Sequence, residues 1–214
     1  MATASTPLAT EPKPVDAGRD AARTHRNAFI VMALLFMVAP LVGVYPVFMM
    51  KVMCFALFAC AFNLLLGFGG LLSFGHAMFL GSAGYVTAHA AKVWGLTPEL
   101  SIALGTLAAA ALGWVVGKLA IRRQGIYLTM ITLALAQMVF FFALQAPFTG
   151  GEDGIQAVPR GKLFGLIDLS STNAMYAFVL AIFLGGFLLI YRVIHSPFGQ
   201  VLKAIRENEP RTIS

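Results

Sequence analysis

Charge is scarce in this sequence: only 11% of its 214 residues are Asp, Glu, Lys or Arg. A domain that folds in water carries about a quarter, so an ordinary soluble fold is excluded. Cysteine is limited to Cys54 and Cys60, both inside one apolar run. That rules out a disulfide framework and a cysteine-rich metal centre; both read as small buried hydrophobes. No G-x-x-x-x-G-K-[ST] segment occurs, and Gly117-Lys118, the nearest approach, lacks the upstream glycine and the following Ser or Thr. The chain therefore has no Walker-type nucleotide site. The run 67–72 also fails the dinucleotide pattern, because its sixth residue is Leu72 rather than glycine. H-E-x-x-H and G-x-S-x-G are missing too. No catalytic residue, metal ligand or chain-bound cofactor is assigned. The apolar runs hold no chain of carboxylates, which a proton-driven transporter needs within its spans. An energy source is expected on another polypeptide.

What is present is hydrocarbon. Apolar residues make up 59% of the chain, and the mean hydropathy is +0.82. The composition predicts an all-α membrane protein, a polytopic bundle of transmembrane helices with about six spans. Residues 1–27 are rich in Ala, Thr, Pro and charge without apolar periodicity, and read as a disordered cytoplasmic tail. The transmembrane domain is placed at 28–194. Its first span is expected at 28–47, with Lys51 marking a tight turn and a second span running to about residue 67. An apolar but glycine-rich third segment fills 67–91. A fourth span at 100–120 is opened by Thr97-Pro98-Glu99, an N-cap followed by proline at the first helical position. A fifth covers 125–146 and a sixth 173–194. The polar stretch 147–172 between them is too hydrophilic to cross, and 195–214 forms a last polar, amphipathic segment.

The charges orient this bundle. With the N-terminus inside, eleven basic residues face the cytoplasm: Lys13, Arg19, Arg23, Arg26, Lys118, Arg122, Arg123, Arg192, Lys203, Arg206 and Arg211. Four face out: Lys51, Lys92, Arg160 and Lys162, which completes the 15 Lys and Arg. The positive-inside bias places both termini in the cytoplasm. Because the basic residues sit between apolar runs and form no stripe with interleaved aromatics, they set topology and do not bind nucleic acid.

Two segments carry mechanism. In the last one, Ser196 can cap a helix and Pro197 fits its first position. Phe198, Val201, Leu202 and Ile205 then fall at i, i+3, i+4 and i+7 on one apolar stripe, with Lys203, Arg206, Glu207 and Glu209 off it. Such a helix either lies on the headgroups or docks in a groove of a cytoplasmic partner. In the other segment, Ser73, Ala77, Gly81 and Gly84 offer a small-residue stripe for helix packing. Gly67, Gly69, Gly70, Ser73 and Gly75 form a candidate helix break, of the kind that exposes backbone groups to a solute in transporters. His76 either lines a pathway or makes a buried structural hydrogen bond. Asn63 and Gln137 are the remaining polar groups within spans, and Phe140, Phe141 and Phe142 suit an interfacial aromatic belt.

Four runs together resemble one known family, the permease subunits of bacterial ABC importers for branched-chain amino acids. They are NLLLGFGGLLSFGHAMFLGSAGY (63–85), RRQGIYLTMITLALAQMV (122–139), FTGGEDGIQAVPR (148–160) and SPFGQVLKAIRENEPR (196–211). The resemblance covers about 28–214 in the family's order. It implies that 196–211 is a coupling helix docking on an ATP-binding subunit, through Ser196, Phe198, Gly199, Val201, Leu202, Ala204, Ile205, Arg206 and Glu207. It implies a second homologous permease, two ATP-binding subunits and a periplasmic substrate-binding protein as partners, in the bacterial inner membrane. The 148–160 loop would face the periplasm, where the binding protein docks. The solute would be a small amino acid, whose polar ends meet the backbone around 67–75 and His76. Urea or short amides are the alternative cargo, and a self-contained secondary transporter or channel, or a non-transporting scaffold, the alternative classes. Family members continue with further spans beyond the coupling segment, so the chain is expected to be C-terminally truncated.

Overall fold

Proline decides where the first helices stop and start. The computed structural model describes residues 27–40, 42–120, 125–163, 165 and 167–207, in two compact units that meet in sequence at Tyr45 and Pro46. In the first unit, helix α1 (Asn27–Val38) ends one residue before Ala39-Pro40. A residue that precedes proline is pushed out of the helical region, and the chain turns there. Val42 donates to the Val38 carbonyl at 3.2 Å and Val44 to that of Ala39 at 3.3 Å. At 1.5 Å per residue α1 is about 18 Å long, short of the expected 28–47 span.

The second unit opens with helix α2 (Pro46–Asn63), Pro46 occupying its first position, where a missing N–H costs nothing. Lys51 lies inside α2 and marks no turn, which corrects the expectation from sequence. Lysine is a good helix former whose long stem can carry its charge toward the interface, so the prolines, not the charge, set the break. A π-helical turn (Leu64–Phe68) prolongs α2. Helices α3 (His76–Lys92), α4 (Pro98–Ala120), α5 (Ile126–Gln145), α6 (Thr172–Ile194) and α7 (Pro197–Glu207) follow. Between α5 and α6 run two 3₁₀ turns, Pro147–Thr149 and Gly151–Asp153, and a small antiparallel hairpin, β1 (Lys162–Leu163) with β2 (Ile167–Asp168). The long helices thus begin and end within about two residues of the spans expected at 100–120, 125–146 and 173–194.

Four helical stretches are long and apolar enough to cross a bilayer: Pro46–Phe68, Pro98–Ala120, Ile126–Gln145 and Thr172–Ile194. At most 17% of any of them is buried within the chain, and Leu107, Tyr127, Met138 and Leu189 are each left more than half exposed. Apolar surface of this extent suits lipid and neighbouring subunits, not water. The chain is a mostly helical, multi-pass membrane protein.

Inside the second unit α3 packs along α4 and α2 along α6. Met53 of α2 is fully buried, with Tyr176, Leu180 and Phe183 of α6 nearly so. The α3–α4 approach does not use the glycines of the small-residue stripe. Gly81 and Gly84 face open space, whereas Gly105 of α4 sits against the Ala83 carbonyl and the Thr87 side chain. A single glycine on the opposing helix supplies the dip, and the neighbouring face of α3 fills it. The expected tail falls outside the described residues except for Asn27, as do Arg122, Arg123 and 208–214.

Candidate functional site

Within the stretch 67–75, where a helix break was expected, the chain is non-helical over residues 69–75, and the cause is visible in the backbone. The π turn carries the chain from Asn63 to Phe68, and the next regular helical residue is His76. Gly67 lies in the π turn, where a Cβ would come 2.9 Å from Asn63 Oδ1. Gly69 follows it, against the Leu65 carbonyl. Gly70 takes φ +66°, a left-handed conformation that glycine adopts without strain. Residues 69–75 then leave the regular helix, held at their two ends by the Leu71 N–H on the Leu65 carbonyl at 3.3 Å and the Met78 N–H on the Gly75 carbonyl at 3.1 Å.

Non-helical backbone within a bilayer must find partners in the protein, and α5 supplies them. The Phe74 N–H donates to Thr132 Oγ1 at 3.3 Å, and Thr129 Oγ1 donates to the Leu72 carbonyl at 3.1 Å. Thr132 is buried, and its hydroxyl donates in turn to the Leu128 or Thr129 carbonyl at 2.9 or 3.0 Å. One hydroxyl thus accepts from the break and donates to its own helix. The Gly75 N–H donates to Ser73 Oγ at 3.3 Å, and Gly75 lies where an added Cβ would sit 3.4 Å from Thr132 Cβ. The two threonines were not singled out by sequence reasoning. The available signal was their i, i+3 spacing on one face of a span whose residues are otherwise mostly apolar. Thr132→Val keeps the shape and removes the acceptor. Interhelical hydrogen bonds in bilayers average well under 2 kcal/mol, so a loss of about 1 kcal/mol is expected. In a thermal melt of detergent-purified protein Thr132→Val should unfold at lower temperature than Thr132→Ser; equal midpoints would remove the clamp from the account.

His76 opens α3 inside an aromatic cage. The ring edges of Phe62, Phe79 and Phe58 meet it at centroid distances of 5.2, 6.2 and 6.3 Å. Its Nδ1 is buried and has no hydrogen-bond partner among the described residues. The ring is half-buried at the lip of the break.

The last helix comes back to the same place. Ser196 Oγ donates to the Val193 carbonyl at 2.6 Å, tying the turn to the end of α6, while the Ser196 carbonyl accepts from Gln200 as the first bond of α7. Gly199 packs on the end of α6, where a Cβ would lie 2.2 Å from the Ile194 carbonyl oxygen. From there the Arg206 guanidinium donates to the Gly67 carbonyl. Its stem crosses Gly70, whose added Cβ would be 2.9 Å from Arg206 Cγ. Lys203, one turn earlier, holds its ammonium 5.2 Å from the Phe68 ring centroid. Gly67 sits at the end of the α2–π helix, where carbonyls lack intrahelical partners and carry the negative end of the dipole. A cation there contributes about 0.3–1 kcal/mol at an exposed position. The two segments predicted separately, 67–76 and 196–207, therefore form one cluster.

The stripe of α7 is turned away from that cluster. Phe198, Val201 and Ile205 are 62%, 49% and 40% exposed, and Leu202 is partly covered. Ala204 is exposed with them; nothing is described of the Glu207 side chain.

The far end of α3 meets the loop after α5. His89 Nδ1 lies 3.2 Å from the Phe148 carbonyl, and Lys92 Nζ donates to the Gln156 carbonyl at 2.8 Å. Thr149 is buried there, its hydroxyl donating to the Ala143 or Ala146 carbonyl. In the same loop Asp168 accepts from Ser170, side chain and backbone, which holds its carboxyl below the usual range. Between α3 and α5 a cleft of about 370 Å³ is lined mainly by apolar groups, with Ser82, Tyr85 and Gln137 among its few polar ones.

Three of the four runs that carried the family resemblance thus meet at the break, and the fourth meets the other end of α3 at His89 and Lys92. A family model described as the branched-chain amino acid transport system permease component matches residues 44–211. The chain belongs to that permease family. Among its relatives, the high-affinity branched-chain amino acid transport system permease protein LivM of Salmonella typhimurium is 27% identical over 180 residues, covering 73% of this chain and 42% of that protein. LivM of Escherichia coli is 26% identical over 181 residues, with the same coverage of 73% and 42%. The chain spans less than half the length of these curated permeases. No solved structure matches it.

Proposed function

We propose that this chain is a permease subunit of an ATP-driven importer and forms part of the translocation path for branched-chain amino acids across the bacterial inner membrane. The observation that carries this reading is the orientation of α7. An amphipathic helix ordinarily lays its apolar stripe on its own protein. Here the basic side, Arg206 and Lys203, holds the helix to the chain, and Phe198, Val201 and Ile205 are left for something else. A groove on a cytoplasmic ATP-binding subunit fits that stripe. The missing Walker motif puts hydrolysis on that subunit, with this chain needing no cofactor of its own. The relatives named as branched-chain amino acid permeases supply the solute class. A second homologous permease and a periplasmic binding protein complete the assembly.

In this reading the chain crosses the membrane alternately about six times with both termini in the cytoplasm. Several contacts support the alternation within the second unit. The end of α2 and α7 meet at the break, on the inner side. The end of α3 and the 147–172 loop meet through His89 and Lys92, on the periplasmic side. Lys118 sits 3.6 Å over the Trp114 ring at the inner end of α4, an anchor suited to the interface. The break supplies backbone dipoles, with His76 beside them, for the charged ends of a zwitterion; the apolar walls of the α3–α5 cleft suit its branched side chain.

The test is uptake of labelled leucine, urea and phenylalanine by the full complex, with Phe198→Asp and Ile205→Asp alongside. Leucine should accumulate in preference to the other two. Each aspartate buries a charge in the docking groove and should abolish co-purification of the ATP-binding subunit, the permease still inserting normally. Leucine excluded while urea enters would replace the solute class, and full co-purification of both variants would remove the docking role.

A further inference from the structure

Among the described residues the link between α7 and the break is narrow, and its narrowness is informative. One guanidinium reaches across 139 residues of sequence to the Gly67 carbonyl. Its stem passes over Gly70, which has φ +66° and no Cβ to obstruct it. Lys203 adds a looser contact on Phe68. Otherwise α7 is fixed to the unit through the short turn from α6, where Ser196 and Gly199 meet the Val193 and Ile194 carbonyls. A partner that grips the free stripe of α7 would therefore move Arg206 first.

What Arg206 holds is poised to move. The π turn Leu64–Phe68 contains one residue more per turn than an α-helix, and such turns are uncommon and cluster at functional positions. Loss of that extra residue would advance everything downstream by about 1.5 Å and rotate it by about 100°, and downstream lie the break and His76. On the opposite side the break is pinned to α5 by Thr129 and Thr132. The break is thus clamped between a fixed helix and a helix whose outer face is free.

We infer that Arg206 is the positioning residue that transmits the place of α7 to the helix break, by capping the Gly67 carbonyl and so holding the register of the π turn. This inference rests on α7 being the docking helix, and adds to it that the signal leaves α7 through a single cationic cap. Arg206 acts through the break and touches no solute.

The experiment uses the full complex in proteoliposomes with the binding protein outside, and reads three quantities: retention of the ATP-binding subunit, ATP hydrolysis, and leucine uptake per ATP hydrolysed. Arg206→Met removes both charge and donor. It should retain the ATP-binding subunit and hydrolysis, with uptake per ATP falling at least tenfold. Arg206→Lys keeps a cationic donor within reach of the carbonyl and should restore the ratio to within about threefold of the parent. Unchanged uptake per ATP in Arg206→Met overturns the inference. So does loss of the ATP-binding subunit in that variant, because Arg206 would then face the partner. A fall in Arg206→Lys as deep as in Arg206→Met also overturns it. Should Arg206→Met not accumulate in membranes, Arg206→Gln, a neutral donor, takes its place. It should lie between the other two, and a parental ratio would again count against the cap. The docking reading fails separately, when Phe198→Asp retains the ATP-binding subunit.

Discussion

Gly199→Ala is expected to cut leucine uptake by at least tenfold while leaving the protein in the membrane. An added Cβ would lie 2.2 Å from the Ile194 oxygen, 2.7 Å from its carbonyl carbon and 2.8 Å from the Val193 oxygen. All three are backbone atoms at the end of α6, so no side chain can rotate out of the way. Overpacking of this kind costs about 1–3 kcal/mol, which a long helical bundle can absorb. The position of α7 cannot absorb it. Arg206 lies seven residues beyond Gly199, about 10 Å along the helix, so a small tilt at the turn becomes a displacement larger than a hydrogen bond can follow. The stripe Phe198–Val201–Ile205 tilts with it and meets its groove out of register. The loss should appear both as weaker co-purification of the ATP-binding subunit and as lower uptake. Parental values of both in Gly199→Ala would mean that the turn is not what places α7.

The helices of this protein were legible because each is written locally. Thr97-Pro98-Glu99 opens α4 at Pro98, and Ser171 caps α6 by accepting from the Ala174 N–H at 3.3 Å. Runs of some 20 apolar residues between such signals leave little choice of secondary structure. The position of the first turn was misread at Lys51 because a charge inside an apolar run looks like a boundary, whereas helix geometry responds to Pro40 and Pro46. The glycines of the break were legible as a break, but the π turn that delivers them was not, since nothing in LLLGF distinguishes five residues per ring from four. Least legible were the contacts that make the break a site. Thr132 reaches Phe74 across 58 residues and Arg206 reaches Gly67 across 139. No periodicity registers such distances. Amphipathicity marked the α7 stripe as a face for headgroups or a partner, but it did not reveal that Arg206, on the other side, ties the helix to the break.

The second large effect concerns the pair on which the bundle leans, and its sign separates packing from helix propensity. In a helix interior alanine is favoured over glycine by about 1 kcal/mol, so a glycine-to-alanine change on α4 stabilises wherever there is room. Gly117 has room, with nothing within 4 Å of its added Cβ, and Gly117→Ala should raise the Tm in detergent. Gly105 has none. It is buried, and its Cβ would lie 2.0 Å from Thr87 Oγ1 and 2.6 Å from the Ala83 carbonyl oxygen. Thr87 can change rotamer, but the Ala83 oxygen belongs to the backbone of α3, so the helices must part. In lipid, separated helices gain no hydrophobic pressure to close again, because the tails are as apolar as the side chains. The packing lost is lost outright. Gly105→Ala should therefore lower the Tm by an overpacking cost of about 1–3 kcal/mol, against the propensity gain. Gly105→Val, with two further methyl groups, should reduce membrane yield several-fold. If Gly105→Ala instead stabilises as Gly117→Ala does, then α3 and α4 do not cross at this glycine. The break, which α3 carries at its N-terminal end, would then lack the rigid wall that its two threonine contacts presuppose.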